Sequence, residues 1–113
     1  MPSTAVGASA GPPDVVVLEG HLTQPSLEAA LSALRPRHGS TLIVDCTTMT
    51  GYDPDARAFF VDWHRRQRDY IGAVAIVTDK MLWHMIVGAM ALASGQRMRA
   101  FATLDEARAW IAG

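Results

Sequence analysis

Four short apolar runs alternate with four stretches of helical spacing along this chain, and that alternation leaves few folds open to it. The first run is Asp14-Val15-Val16-Val17-Leu18-Glu19-Gly20, β-branched and closed by glycine. The second is Thr41-Leu42-Ile43-Val44-Asp45, the third Ala73-Val74-Ala75-Ile76-Val77, and the fourth Met98-Arg99-Ala100-Phe101. Each reads as a strand. Strands that alternate with helices predict a mostly parallel sheet with helices packed on it, an α/β domain.

The helices carry their own punctuation. Thr23 caps one that enters through Gln24-Pro25, buries Leu27, Ala30, Leu31 and Leu34 along a single face, and stops at Pro36 and Gly39. Asp53 is a good cap for the next, Pro54 suits its first position, and Asp55 adds a charge that the helix dipole favours. This second helix is expected from Pro54 to about Tyr70, with Phe59, Phe60, Trp63 and Tyr70 inward. Its solvent side then carries Arg57, Asp62, Arg65, Arg66, Arg68 and Asp69, and Gly72 ends it. Asp79 is the expected cap of a third helix over Lys80–Ser94, closed by Gly95. Thr103 and Glu106 form a capping box before the last helix, which buries Leu104, Ala107, Trp110 and Ile111.

Composition excludes several classes of function. With 113 residues the chain makes one domain, over residues 14–113, preceded by a small-residue tail over 1–13 that is expected to be disordered. A net charge of −1 gives no electrostatic footprint for nucleic acid. Cys46 is the single cysteine, so no intramolecular disulfide and no cysteine-based metal cluster can form. The apolar stretch Met81–Ala93 is too short to cross a bilayer, which takes about 20 residues. A soluble, cytoplasmic protein without cofactor or metal is expected.

The chemistry-bearing residues gather where the second strand meets the second helix. Asp45 ends the strand, Cys46 to Tyr52 is expected to form a polar loop, and Asp53-Pro54-Asp55 opens the helix. In open α/β sheets, ligands and partners dock at the carboxyl ends of the strands. No phosphate-binding loop, dinucleotide fingerprint or nucleophile elbow is present, and His21, His38, His64 and His84 have no ligand spacing. Cys46 has no histidine near it in sequence and reads as a small, semi-buried thiol. The run His64-Arg65-Arg66-Gln67-Arg68 reads as a solvated helix face in which Asp62 pairs with Arg66. The third helix is apolar nearly all round, with Met81, Leu82, Trp83, Met85, Ile86, Val87, Met90 and Leu92. Such a helix must be buried on more than one side, against its neighbours, a second subunit, another protein or a hydrophobic ligand.

With these residues in view, the chain resembles the STAS superfamily, the domain of anti-sigma-factor antagonists, and within it the SpoIIAA-like subgroup. The likeness rests on Glu19-Gly20-His21-Leu22-Thr23, Leu42-Ile43-Val44-Asp45 and Val74-Ala75-Ile76-Val77-Thr78-Asp79. It ends in Arg99-Ala100-Phe101 followed by Glu106-Ala107-Arg108-Ala109-Trp110-Ile111. The resemblance implies a STAS-like domain, similar in fold to lipid-carrying CRAL-TRIO domains, with a four-stranded, mostly parallel sheet and about four helices; a five-stranded mixed sheet is the alternative. In the anti-sigma antagonists, Asp-Ser-Ser-Gly follows eight residues after the strand's terminal Asp, and its second Ser is phosphorylated. Here Asp53-Pro54-Asp55-Ala56 falls there, so Asp55 replaces the phosphoacceptor with permanent charge. Thr47, Thr48 and Thr50 are the nearby hydroxyls.

The expected function is therefore a non-enzymatic bacterial regulatory module. Its partner, a kinase or anti-sigma-like protein, would be bound through Asp45, Thr47, Thr48, Tyr52, Asp53, Asp55 and Arg57. The alternative is a carrier of a small hydrophobic ligand, a lipid, through Met81, Trp83, Met85 and Met90 of the third helix. The same helix face offers a route to a homodimer.

Overall fold

In a parallel sheet whose strands lie side by side in chain order, right-handed crossovers place every connecting helix on one face. The computed structural model, which describes residues 11–113, follows that rule. Four parallel strands, β1 (Asp14–Leu22), β2 (Ser40–Tyr52), β3 (Ile71–Val77) and β4 (Met98–Phe101), form one sheet in the order β1-β2-β3-β4. The three connecting helices are α1 (Gln24–Ser32), α2 (Pro54–Arg66) and α3 (Met81–Ser94). They share one core with the side chains of a single sheet face, Val16, Leu18, Leu42, Val44, Val74 and Ile76. The last helix, α4 (Leu104–Ala112), follows the last strand and so crosses to the other face. There Ala107 is fully buried against Ile43, Ala75 and Val77. Leu104, Trp110 and Ile111 complete that smaller core, and β1 lies outside its reach, leaving Val15 and Val17 exposed. The sheet is four-stranded and wholly parallel among the described residues, with no fifth strand. The tail expected over residues 1–13 lies outside the described residues except for Gly11, Pro12 and Pro13.

The capping box of Thr103 with Glu106 forms on α4 as the sequence predicts, and Thr23 caps α1 as expected, in a second box with Ser26 that the sequence reading did not anticipate. Gly95 takes the left-handed conformation that ends α3. Other boundaries move. β2 does not stop at Asp45: it runs to Tyr52, so the expected polar loop Cys46–Tyr52 is strand. Its outer half pairs with Glu19–Leu22 of a β1 that is itself longer than expected, and two register shifts absorb the surplus residues of β2. The two strands thus project past β3, whose pairing with β2 ends at Val77 and Asp45. α1 ends at Ser32, before Pro36, and α2 ends at Arg66, before Tyr70. Tyr70 consequently lies in a turn, exposed, against the His38 ring rather than on the inner face of α2. His64 is corrected in the opposite sense. It is fully buried, its ring against Phe60 and Trp63, while Arg65 and Arg66 beside it stay in solvent and pair with Asp62. One helical step of 100° separates neighbours, so a basic run need not share one face.

Candidate functional site at the ends of the strands

The extension of β1 and β2 builds a recess at the carboxyl end of the sheet. α2 leaves directly from the end of β2, and α3 starts three residues after Thr78, which follows β3. Between them lies a mainly apolar pocket of about 70 Å³. Leu18, Cys46 and Met49 form its floor from the strands, Phe60 and Arg57 come from α2, and Trp83, Val87 and Met90 from α3. Tyr52 meets Trp83 edge-on at 5.8 Å.

Lys80 locks this end of the molecule. Its Nζ donates to the Met49 carbonyl at 3.0 Å and sits 4.9 Å from the centre of the Trp83 ring. One cation thereby satisfies a carbonyl of the extended β2 and engages the aromatic wall of the pocket. Buried Thr78 accepts the Lys80 backbone N–H on its Oγ1 at 3.2 Å, and its carbonyl accepts His84 Nε2–H at 2.8 Å. The expected cap, Asp79, is not the cap of α3; Lys80 occupies that position and makes no side-chain capping bond. These three residues, Thr78, Lys80 and His84, escaped sequence reasoning. Their only sequence signal is a polar pair directly after a buried strand, which fits any turn.

The rim residues separate into two groups. Asp53 stands at the N-cap of α2, yet its carboxylate does not cap. Oδ1 accepts from His21 Nε2 at 2.7 Å, while the Asp53 backbone N–H donates to the Leu22 carbonyl at 2.9 Å. The helix start is thus fastened to the end of β1 by both the backbone and the side chain of one residue. Asp55 sits exposed in the first turn of α2, with Arg57 exposed beyond it and Tyr52 half-buried before it. Asp45 and Thr47 form a separate unit. Asp45 Oδ1 accepts the Thr47 N–H at 3.0 Å and its hydroxyl at 2.7 Å, which bends β2 where its register shifts. Asp45 alternates with Cys46 and so belongs to the sheet face of Ile43, away from the pocket. Thr48 is exposed and pairs with Glu19 across the ladder. The four residues named on α3 also divide: Trp83 and Met90 line the pocket half-buried, whereas Met81 and Met85 point into solvent.

Cys46 is buried, and burial pushes its thiol up to about 12; the charge of Asp45 adds to the rise and Lys80 opposes it. A thiol held this far from ionisation is no nucleophile. No group of three or more metal-ligating side chains gathers among the described residues, and no described helix is long and apolar enough to cross a membrane.

The SpoIIAA-like family model matches residues 15–112, from the second residue of β1 to the end of α4. The chain belongs to the SpoIIAA-like family. Among solved structures, this SpoIIAA-like domain is similar to an uncharacterized protein of the DUF3478 family with a SpoIIAA-like fold from Shewanella loihica PV-4. That likeness has a TM-score of 0.63 at 18% identity and covers 86% of this chain and 82% of the other. At that identity it speaks for the fold alone. No curated protein matches the sequence.

Proposed function

We propose that this SpoIIAA-like domain is a non-enzymatic regulatory module that binds a partner protein at the start of α2, with Asp55 as a fixed negative charge in its docking surface. The observation that carries this reading is the state of Asp55. It is exposed in the first turn of a helix whose cap residue has turned its own carboxylate to His21. The dipole favours a carboxylate there, and no side chain of the described residues forms a salt bridge with it. A partner bringing a basic group therefore meets a charge that is already placed. Beside it the pocket offers an apolar seat, entered past Arg57 and Tyr52. A charged contact next to one buried anchor is how small interfaces concentrate their affinity.

Family membership supports a STAS-like regulatory role, and the displaced phosphoacceptor gives it its particular form. Where a serine would switch between hydroxyl and phosphate, Asp55 supplies a carboxylate without modification, so binding does not wait on a kinase. The pocket lends the lipid-carrier alternative no support. Its 70 Å³ is about half the ~150 Å³ cavity that accommodates benzene in another protein, and a lipid chain needs several times more.

The test is capture of binding proteins from native lysate on the wild type, Asp55→Glu and Asp55→Lys, followed by titration of the purified partner. A protein held by the first two and weakened about tenfold or more by Asp55→Lys, with unchanged circular dichroism, is the expected result. Equal affinity for all three would remove Asp55 from the surface.

A further inference from the structure

The outer face of α3 has no function in the reading above. Its fourteen residues, Met81–Ser94, include no Asp, Glu, Lys or Arg. Val87 and Ser94 are buried, and Trp83, Ile86 and Met90 are half-buried, so these five turn inward. Met81, Leu82, Met85 and Leu92 are 70%, 68%, 74% and 87% exposed. Met81, Met85, Gly88 and Leu92 follow one another at steps of four, three and four, the spacing of a helix–helix seam. Gly88 sits inside that seam, where glycine weakens a helix relative to alanine. A Cβ at this position would meet nothing within 4 Å. Nothing within the described chain therefore needs Gly88 to be small, and its missing side chain leaves room on the outer face of α3.

We propose that this face is a two-fold interface in which α3 of a second copy packs antiparallel. With the axis passing between Ile86 and Val87, Met85 falls opposite Gly88 of the second copy, and Met81 opposite its Leu92. The longest side chains of the seam then fill the gaps left by its smallest residue. A parallel pair would set Met85 against Met85 and leave Gly88 facing Gly88, a collision beside a void. The ends agree with the antiparallel choice. Asp79, exposed just before the helix, makes no salt bridge among the described residues. At the other end the guanidinium of exposed Arg68 reaches to 2.7 Å from a Cβ placed on Gly95. Antiparallel packing carries each Asp79 toward the Arg68 end of the other copy. The four exposed side chains put on the order of 500 Å² of apolar surface into water, at the upper end for the largest patch of a monomer. Two copies, with Gly88, Ala89 and the flanking charges added, reach the ~1,200 Å² at which stable interfaces begin. This interface is independent of the reading of Asp55 and fails separately from it.

Sedimentation equilibrium of the full chain at micromolar concentration, with two lysine variants and with two variants that each add a surface cysteine to the buried Cys46, tests it. The wild type is expected to be a dimer. Met85→Lys and Leu92→Lys alter side chains that are exposed in one copy, so both should keep the circular dichroism of the wild type and weaken the dimer on the order of 100-fold. Met81→Cys mixed with Leu92→Cys should form a disulfide-linked dimer under mild oxidation, and neither variant alone should. A wild type that stays monomeric overturns the proposal, including one that instead binds vesicles or another protein through Leu92. Charged variants that remain dimeric overturn it too, and self-linking of Met81→Cys overturns the antiparallel register.

Discussion

The imidazole of His64 is fully buried, with Nδ1 donating to the Phe60 carbonyl at 2.9 Å and Nε2 left without a hydrogen-bond partner. Burial lowers its pKa from 6.5 to about 4, against a smaller opposing effect of the Phe60 bond. Between those values the unfolded chain takes up a proton that the folded one refuses. Stability therefore falls as pH drops through 6.5 and stops falling, for this residue, below about 4. The full loss is up to about 3 kcal/mol. Urea unfolding at pH 7.5 and at pH 4.5 should show the wild type losing much of this amount and His64→Leu losing clearly less. An equal loss in both would mean that His64 is not the group responsible. Asp53 makes the same point about partners. Its neighbours in sequence make it a helix cap, and His21, 32 residues away, takes its carboxylate instead. The basic run and the cap signal are local; which atom lies opposite a side chain is not.

At the scale of elements, local chemistry did more. Thr23, Thr103 and Gly95 each act where the sequence places them, because a cap bonds only within its own turn. Gly95 adopts φ 71°, a conformation that a side chain resists, and a Cβ there would also press on the mobile end of Arg68. Gly95→Ala should cost about 1 kcal/mol, read as a lower urea midpoint at unchanged slope. A variant as stable as the wild type would show that α3 can end without the left-handed turn. β2 is the counterexample. Thr47, Thr48, Thr50 and Gly51 look like loop, but β1 extends alongside and supplies the ladder partners, and strand propensity yields to pairing. The bond between Asp45 and Thr47 then spends the surplus residue as a bend.

For the molecule as a whole, chain order and handedness explain the asymmetry of the two sheet faces. Three crossovers fill one face, and a single terminal helix is left for the other, so β1 shows Val15 and Val17 to solvent. The sheet is also uneven along its length. Leu42–Val44 are flanked by β1 and β3, whereas Thr48–Tyr52 have only β1. Hydrogen exchange should therefore find the amides of Glu19–Leu22 and Thr48–Tyr52 opening at lower free energy than those of Leu42–Val44 and Val74–Ile76. Uniform protection would show that Lys80, bonded to Met49, ties the projecting ribbon as firmly as a third strand. The proposed docking surface grows from this less secured end, where a partner can be accommodated without disturbing the central strands.

The amino-acid sequence by itself determined the α/β class, the number and order of the strands and helices, and three of the helix ends. Those depend on periodicity and on contacts within one turn. It also marked Asp53-Pro54-Asp55 as a helix start and α3 as too apolar for its surroundings. Only the tertiary structure decided that β2 continues to Tyr52, that His64 lies inside, that Asp53 serves His21, and that α3 faces the pocket with Trp83 and Met90 and the solvent with Met81 and Met85. Each of these turns on a neighbour distant in sequence, and such neighbours are chosen by how the elements pack together rather than by any one element alone.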